Sequence, residues 1–270
     1  MSDRKTREDF GSRFKSAVER NFDQSAQAYD RFEEKHHLFE QLARRQLELI
    51  EPSRPERILD VGCGTGISTV ALHKSLSSYS PNIYAIDISE RMLMLAKERC
   101  RDLRGVYFIR GDAERLSEYF HEAFDAIFYA ASIFLLPRFS DSLKQACRLL
   151  LPGGVISISH YSGLFDDRKG DAFHKAFPDL KYQYGTVPAV ELMACMASMK
   201  ELKTTTVDYH FEVTREFLFD FLSIPAQSAG LYPKIPYLER IPKVRVLCDG
   251  LAEKVSPLFM GWKFLIARKR

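Results

Sequence analysis

Residues 58–72 read ILDVGCGTGISTVAL, an apolar run that passes straight into three glycines spaced two apart and then into a helical pattern. A strand, a glycine turn and a helix in that order bring backbone close to a ligand at a helix N-terminus, where unpaired N–H groups face outward. The spacing separates two kinds of ligand. A dinucleotide turn reads GxGxxG, with an acid about 20 positions on for the ribose. Here the order is Asp60, Gly62, Gly64, Gly66, so the third glycine comes one place early, and an acid before the turn is awkward for a pyrophosphate. Asp87 ends the next apolar run, 21 residues after Gly66, where a carboxylate can accept from both hydroxyls of a ribose. The ligand indicated is a nucleoside without a diphosphate.

Outward from this turn the hydrophobic period switches repeatedly. RILDV (57–61), IYAID (83–87), GVYFI (105–109), FDAIFYA (124–130) and GVISISH (154–160) are short β-branched and aromatic runs. Segments 67–77, 90–101, 113–120 and 139–151 between them carry apolar residues at helical spacing. Strands alternating with helices predict parallel βαβ units and an α/β, doubly wound, Rossmann-like sheet. Ser89 stands as N-cap before ERMLMLAKERC, with Met92 three residues on, and Pro152-Gly153-Gly154 is expected to end a helix before the fifth strand.

Upstream, Phe10, Phe14, Val18 and Phe22 make one helical stripe, and Leu38, Phe39, Leu42, Leu49 and Ile50 a wider one interrupted at Gln46. FDQSAQAYDRF (22–32) between them reads as a turn. Downstream, VPAVELMACMASM (187–199) predicts a helix, ELKTTTVDYHFEV (201–213) a long strand and GWKFLIAR (261–268) a last, antiparallel seventh strand. The expected organisation is an N-terminal helical cover (1–52), a core (53–213), a helical insertion (214–258) and a final core strand (259–270). Insertions above the carboxyl edge of such a sheet are where a substrate cover belongs.

Composition narrows the function classes. Lys+Arg 39 against Asp+Glu 36 is too even for the basic stripe of a nucleic-acid binder. Five cysteines without CxxC spacing argue against a disulfide framework or a zinc site and suit a reducing cytoplasm. The polar N-terminus lacks the apolar core of a signal peptide, and no apolar run is long enough to span a bilayer. A cytoplasmic protein with no membrane partner is expected.

DVGCGTG, then AIDIS, then RGDAERL together resemble the class I S-adenosylmethionine-dependent methyltransferases, over roughly residues 22–160. The resemblance implies that S-adenosyl-L-methionine is the cofactor. Asp60, Gly62, Gly64 and Gly66 would line its methionine end, Asp87 would bind the ribose, and Ile88 and Met92 would cover the adenine. Asp112 would accept from the adenine amino group while Ala113 offers its backbone, and Tyr129 and Ala130 would pass beside the sulfonium. FDQSAQAYDRF resembles the opening of the small-molecule subgroup that includes the malonyl-carrier-protein methyltransferase of biotin synthesis and the quinone methyltransferases, in which Tyr29 would reach the cofactor carboxylate. Simpler roles stay open: Asp60 as a strand-end cap, Asp112 as an N-cap, and Ile88, Met92 and Tyr29 as packing. Cys63 reads as filler in the turn.

Methyl transfer needs alignment and desolvation more than a catalytic group, so the acceptor is less legible than the donor. The fourth strand ends Tyr129-Ala130-Ala131-Ser132, without the Asn/Asp-Pro-Pro-aromatic tetrapeptide of nucleic-acid amino-methyltransferases, and no cysteine follows a proline as cytosine C5 chemistry would need. A small or carrier-bound substrate is indicated, with transfer to oxygen or carbon. His160 and Tyr161, read as ending the fifth strand, are the candidate catalytic residues, since histidine titrates near neutrality; a histidine bonded to backbone is the plain alternative. Phe217, Phe219, Phe221, Leu222, Tyr232 and Tyr237 in the insertion suggest a partly apolar acceptor. His36, His37 and His210 lack partners at metal spacing, so no metal is expected. Two rivals remain: a non-catalytic partner subunit that binds the cofactor, and an aminopropyl transferase, for which YAAS supplies none of the acids needed.

Overall fold

The structure is a computed structural model describing residues 2–179 and 187–270, with the backbone alone for residues 2–10 and 12; the Phe10 side chain of the first stripe lies outside the described residues. The chain opens with two helices, α1 (Ser2–His36) and α2 (Leu38–Ile50), then alternates β1 (Arg57–Val61), α3 (Ile67–Ser75), β2 (Asn82–Asp87), α4 (Glu90–Arg99), β3 (Val106–Arg110), β4 (Phe124–Ala130), α5 (Phe139–Leu149) and β5 (Leu150–Phe165). After α6 (Ala172–Ala176) and α7 (Ala189–Ser198) come β6 (Leu202–Glu212), the helices α8 (Arg215–Leu222), α9 (Pro225–Leu231) and α10 (Tyr237–Lys254), and β7 (Phe259–Lys269). Short 3₁₀ turns at Ala113–Glu118 and Ile133–Leu135 follow β3 and β4.

The strands form one seven-stranded sheet in the order β3-β2-β1-β4-β5-β7-β6, parallel from β1 to β5, with β7 antiparallel to both neighbours. The order reverses between β1 and β4, and the crevice outside the carboxyl ends of strands at such a reversal is where doubly wound sheets bind ligands. Central strands covered on both faces read as continuous apolar runs: Ile58, Leu59, Ile83, Ile86, Ile127 and Ile156 are fully buried. β6, at the edge, exposes Lys203 to Thr206 instead, the polar facing expected of an edge strand. The Ser89 Oγ accepts from Met92 N at 3.1 Å, the N-cap expected for α4.

Three expectations need correction. The stretch 22–32 is no turn but the continuous middle of α1. Its polar residues resemble punctuation, yet it holds neither Gly nor Pro, and Ser25, Ala26, Tyr29, Phe32 and Glu33 are buried at helical spacing. The chain turns instead at His37, at φ 51°, and the carboxylate of Glu33 accepts from Phe39 N (2.9 Å) and Glu40 N (2.8 Å), satisfying two of the free N–H groups that open α2. Gln46 does not interrupt the α2 stripe: it is fully buried and donates to Ser157 Oγ at 3.2 Å. Pro152-Gly153-Gly154 lies inside β5, which starts at Leu150 and continues five residues past His160 because β7 pairs along it to Phe165.

Candidate functional site

Above the carboxyl ends of the strands lies a cavity of about 440 Å³, roofed by α1 and α9. Its floor is the glycine turn. Gly62 N and Cys63 N both donate to Ile86 O (2.8 and 3.2 Å), fastening the turn to the end of β2. Gly62, Gly64 and Gly66 have φ of 73°, 55° and 82°, a region that disfavours side chains. A Cβ on Gly62 would stand 2.5 Å from Ser132 Cβ, whereas one on Gly64 would meet no atom within 4 Å and would project into open space.

Asp87 ties turn and wall together. Its Oδ2 accepts from Gly64 N and its Oδ1 from Ser89 N, each at 2.9 Å. Burial pushes its pKa up, against the pull of those N–H groups. Asp60 lies beneath the turn, fully buried; Oδ2 accepts from Ser68 Oγ and Thr69 Oγ1 at 2.7 Å, and Oδ1 has no partner. A buried, unpaired carboxylate oxygen under a glycine cradle suits the donor groups at the methionine end of a nucleoside sulfonium, and the residues present fit that group.

Burial moves the Asp60 carboxyl from 3.8 to about 6. The folded state then holds this proton more tightly than the unfolded one. The resulting stability is fully present below about pH 3.8 and is lost as pH rises through about 6. Relative to Asp60→Asn, the cofactor-free wild type is therefore expected to lose on the order of 2 kcal/mol of stability between pH 4.5 and 7.5. Urea denaturation at the two pH values checks this.

Asp112 both caps and faces the cavity. Its Oδ1 accepts from Glu114 N (2.9 Å), while Lys15 of α1 donates to its Oδ2 (2.6 Å) and also pairs with buried Glu114. Asp30 of α1 pairs with Arg99 of α4 at 2.7 Å, and Asp23 accepts from Ser89 Oγ. α1 is thereby strapped along the β2–β3 side. Tyr29, buried, accepts at its hydroxyl from Gln227 Nε2 of α9 at 2.9 Å.

Of the residues singled out from sequence, Tyr29, Gly62, Gly64, Asp87, Ile88, Met92, Asp112, Ala113 and Ala130 line this one cavity. Asp60 and Gly66 sit just beneath, Gly66 against Ala96 of α4, where an added Cβ would come within 3.1 Å. Tyr129 is not in the lining: along the strand it alternates away from Ala130, and its hydroxyl bonds Ser142 of α5 at 2.8 Å. His160 and Tyr161 are not in it either. His160 stands mid-strand, its Nε2 bonded to Val187 O at 2.8 Å and its ring edge-on to Phe134, and burial lowers its pKa. Tyr161 packs edge-on against Trp262, which does line the cavity. Cys63 is buried with its thiol pKa raised, and all five cysteines are free thiols. Contrary to the expectation for His37, ligand atoms of Glu33, His37 and Glu40 lie within 4.8 Å of one another; the Glu33 carboxylate is already occupied in opening α2.

Sequence reasoning missed Lys15, Phe134, Gln227, Gly230 and Trp262. It also passed over Gly111, where a Cβ would come within 2.8 Å of Ile86 and Tyr119; its place before Asp112 in RGDAERL was the available signal.

A family model described as a methyltransferase domain matches residues 53–211. The chain belongs to this methyltransferase domain family. Among curated proteins it is 32% identical over 155 residues to a malonyl-[acyl-carrier protein] O-methyltransferase of Halalkalibacterium halodurans, covering 54% of this chain and 55% of that one. It is 31% identical over 147 residues to a demethylmenaquinone methyltransferase of Staphylococcus aureus, covering 53% and 59%. The chain thus spans a little over half the length of these relatives. The crystal structure of YcgJ from Bacillus subtilis superposes with a TM-score of 0.58 at 17% identity, over 87% of this chain and 99% of that one, a likeness of fold.

Proposed function

We propose that the chain is an S-adenosylmethionine-dependent methyltransferase acting on oxygen or carbon of a small or carrier-bound, partly apolar molecule. One observation carries the reading: Gly62 and Gly64 of the glycine turn, Asp87, Asp112 and, at and after the end of β4, residues 130–132 and 134–136 all line a single cavity. In this reading Asp87 accepts from the ribose hydroxyls through lone pairs that the Gly64 and Ser89 N–H groups leave free. Asp112 and the Ala113 backbone read the adenine edge, Ile88 and Met92 cover its faces, and Tyr29 meets the methionine carboxylate. Residues 1–52 and 214–258 serve as covers over the core.

The cofactor supplies an activated methyl group on sulfonium sulfur. Held by the glycine turn, Asp87 and Asp112, it would offer that methyl to a lone pair of an acceptor that enters already deprotonated, and would leave as the neutral thioether. The chain contributes alignment and the exclusion of bulk water by α1 and α9; no proton transfer by His160 is needed.

Purified protein incubated with methyl-labelled S-adenosylmethionine and a metabolite extract of the source cell is expected to yield a labelled small product. Cofactor binding without product would favour the non-catalytic partner subunit, and absence of binding would overturn both readings.

A further inference from the structure

The cavity is short of positive charge. Among the described residues, the charged side chains that line it are Lys15, Asp87 and Asp112, and Lys15 is committed to Asp112 and Glu114. Tyr29 follows Lys15 by 14 residues on α1, which puts it roughly 21 Å farther along the helix at 1.5 Å per residue. Its end of α1 lies by the glycine turn: Asp30 pairs with Arg99 at 2.7 Å, and Arg99 Nε donates to Thr65 O of the turn at 2.9 Å. A carboxylate entering the cavity there meets neutral donors among the lining residues, not a cation. A hydrogen bond to an ionised group is still worth a factor of about 10 or more in affinity.

Tyr29 is held as such a donor. Phe22 stacks on its ring at 5.7 Å between centroids, and Phe39 tilts against it at 5.4 Å. Burial raises the phenol pKa, so its proton stays on near neutrality. The hydroxyl oxygen accepts from Gln227 Nε2 at 2.9 Å. A phenol has one proton to give. Because Gln227 donates to it, that proton is left for another partner, and among the described residues Tyr29 donates to none. Both side chains line the cavity. Gln227 is fixed in turn by the start of α9, where Ser25 Oγ, one turn before Tyr29 on α1, accepts from Ala226 N at 2.8 Å and donates to Asn21 O at 2.6 Å.

We infer that Gln227 is a positioning residue for the cofactor: by occupying a lone pair of the Tyr29 hydroxyl it aims the phenol proton at the methionine carboxylate, so that the N-terminal cover and the insertion close together on that one group. The inference rests on the proposed methyltransferase reading and is tested by binding. The probes are S-adenosylhomocysteine and S-adenosyl-3-thiopropylamine, the same thioether without its carboxyl group.

In calorimetry the wild type is expected to bind S-adenosylhomocysteine at least about 10-fold more tightly than the decarboxylated compound. Tyr29→Phe is expected to weaken S-adenosylhomocysteine at least about 10-fold and Gln227→Leu at least about fivefold, each keeping the decarboxylated compound within about twofold. The double variant is expected to lose no more than Tyr29→Phe alone, within about twofold. Gln227→Glu can only accept near neutrality; it would draw the Tyr29 proton to itself and is expected to lose the preference as well. Ser25→Ala loosens the same joint without touching the Tyr29 hydroxyl and is expected to keep the preference within about twofold.

A wild type without the preference, equal weakening of both ligands in Gln227→Leu, a wild-type preference in Gln227→Glu, additive losses in the double variant, or loss of the preference in Ser25→Ala would each overturn the inference. Failure of the wild type to bind S-adenosylhomocysteine would instead defeat the methyltransferase reading itself.

Discussion

Asp87→Ala is expected to weaken S-adenosylhomocysteine binding by roughly 100- to 10,000-fold in equilibrium dialysis. Two hydrogen bonds from ribose hydroxyls to an ionised carboxylate contribute about 1.5–3 kcal/mol each, and every 1.4 kcal/mol is tenfold in affinity. A second effect adds to the loss. In the cofactor-free chain the same carboxylate holds Gly64 N and Ser89 N at 2.9 Å, so the alanine variant also releases the glycine turn and the start of α4. Asp87→Asn, which keeps one acceptor oxygen, should fall between the two. An unchanged affinity in Asp87→Ala would remove the ribose from this residue.

The glycines separate folding from binding. Gly62→Ala places a Cβ at a φ of 73°, 2.5 Å from Ser132 Cβ, whose hydroxyl donates to Val61 O at 2.6 Å and fixes it there. Left-handed backbone costs a side chain about 1–2 kcal/mol, and a forced overlap in packed surroundings typically about 1–3 kcal/mol more. A total loss of about 2–5 kcal/mol is expected in urea denaturation. Gly64→Ala, with open space above it, should lose no more than about 2 kcal/mol from the backbone alone. It should nevertheless lose cofactor affinity, because its methyl enters the cradle. Equal stability losses in the two variants would mean that the turn is not built as described.

The end of the cavity proposed to hold the methyl donor was legible because it is local. Strand, glycine turn and helix are contiguous, and Asp87 and Asp112 sit at strand ends whose hydrophobic runs announce them. The two candidate catalytic residues were misplaced for one reason: the pattern ending at His160 hid that β7 pairs along β5 as far as Phe165, which makes a supposed strand end a strand middle. Tyr129 fell to the two-residue alternation of a strand, which turns it toward α5 while Ala130 faces the cavity. The segment 22–32 misled because its polar residues are those of a turn, while Ala26, Tyr29 and Phe32 find their burial in distant elements. The rest of the cavity was hidden for the same cause. Phe134 and Trp262 come to line the same cavity as Phe221 only once the sheet closes on β7, and no spacing in the chain marks that meeting.

The most direct measurement is a calorimetric titration of the intact chain with S-adenosylhomocysteine. Binding at one site per chain, lost in Asp87→Ala while the variant stays folded, is the predicted result. No saturable heat at any temperature tried, with the chain folded and monodisperse, would contradict the account at the glycine turn on which it rests.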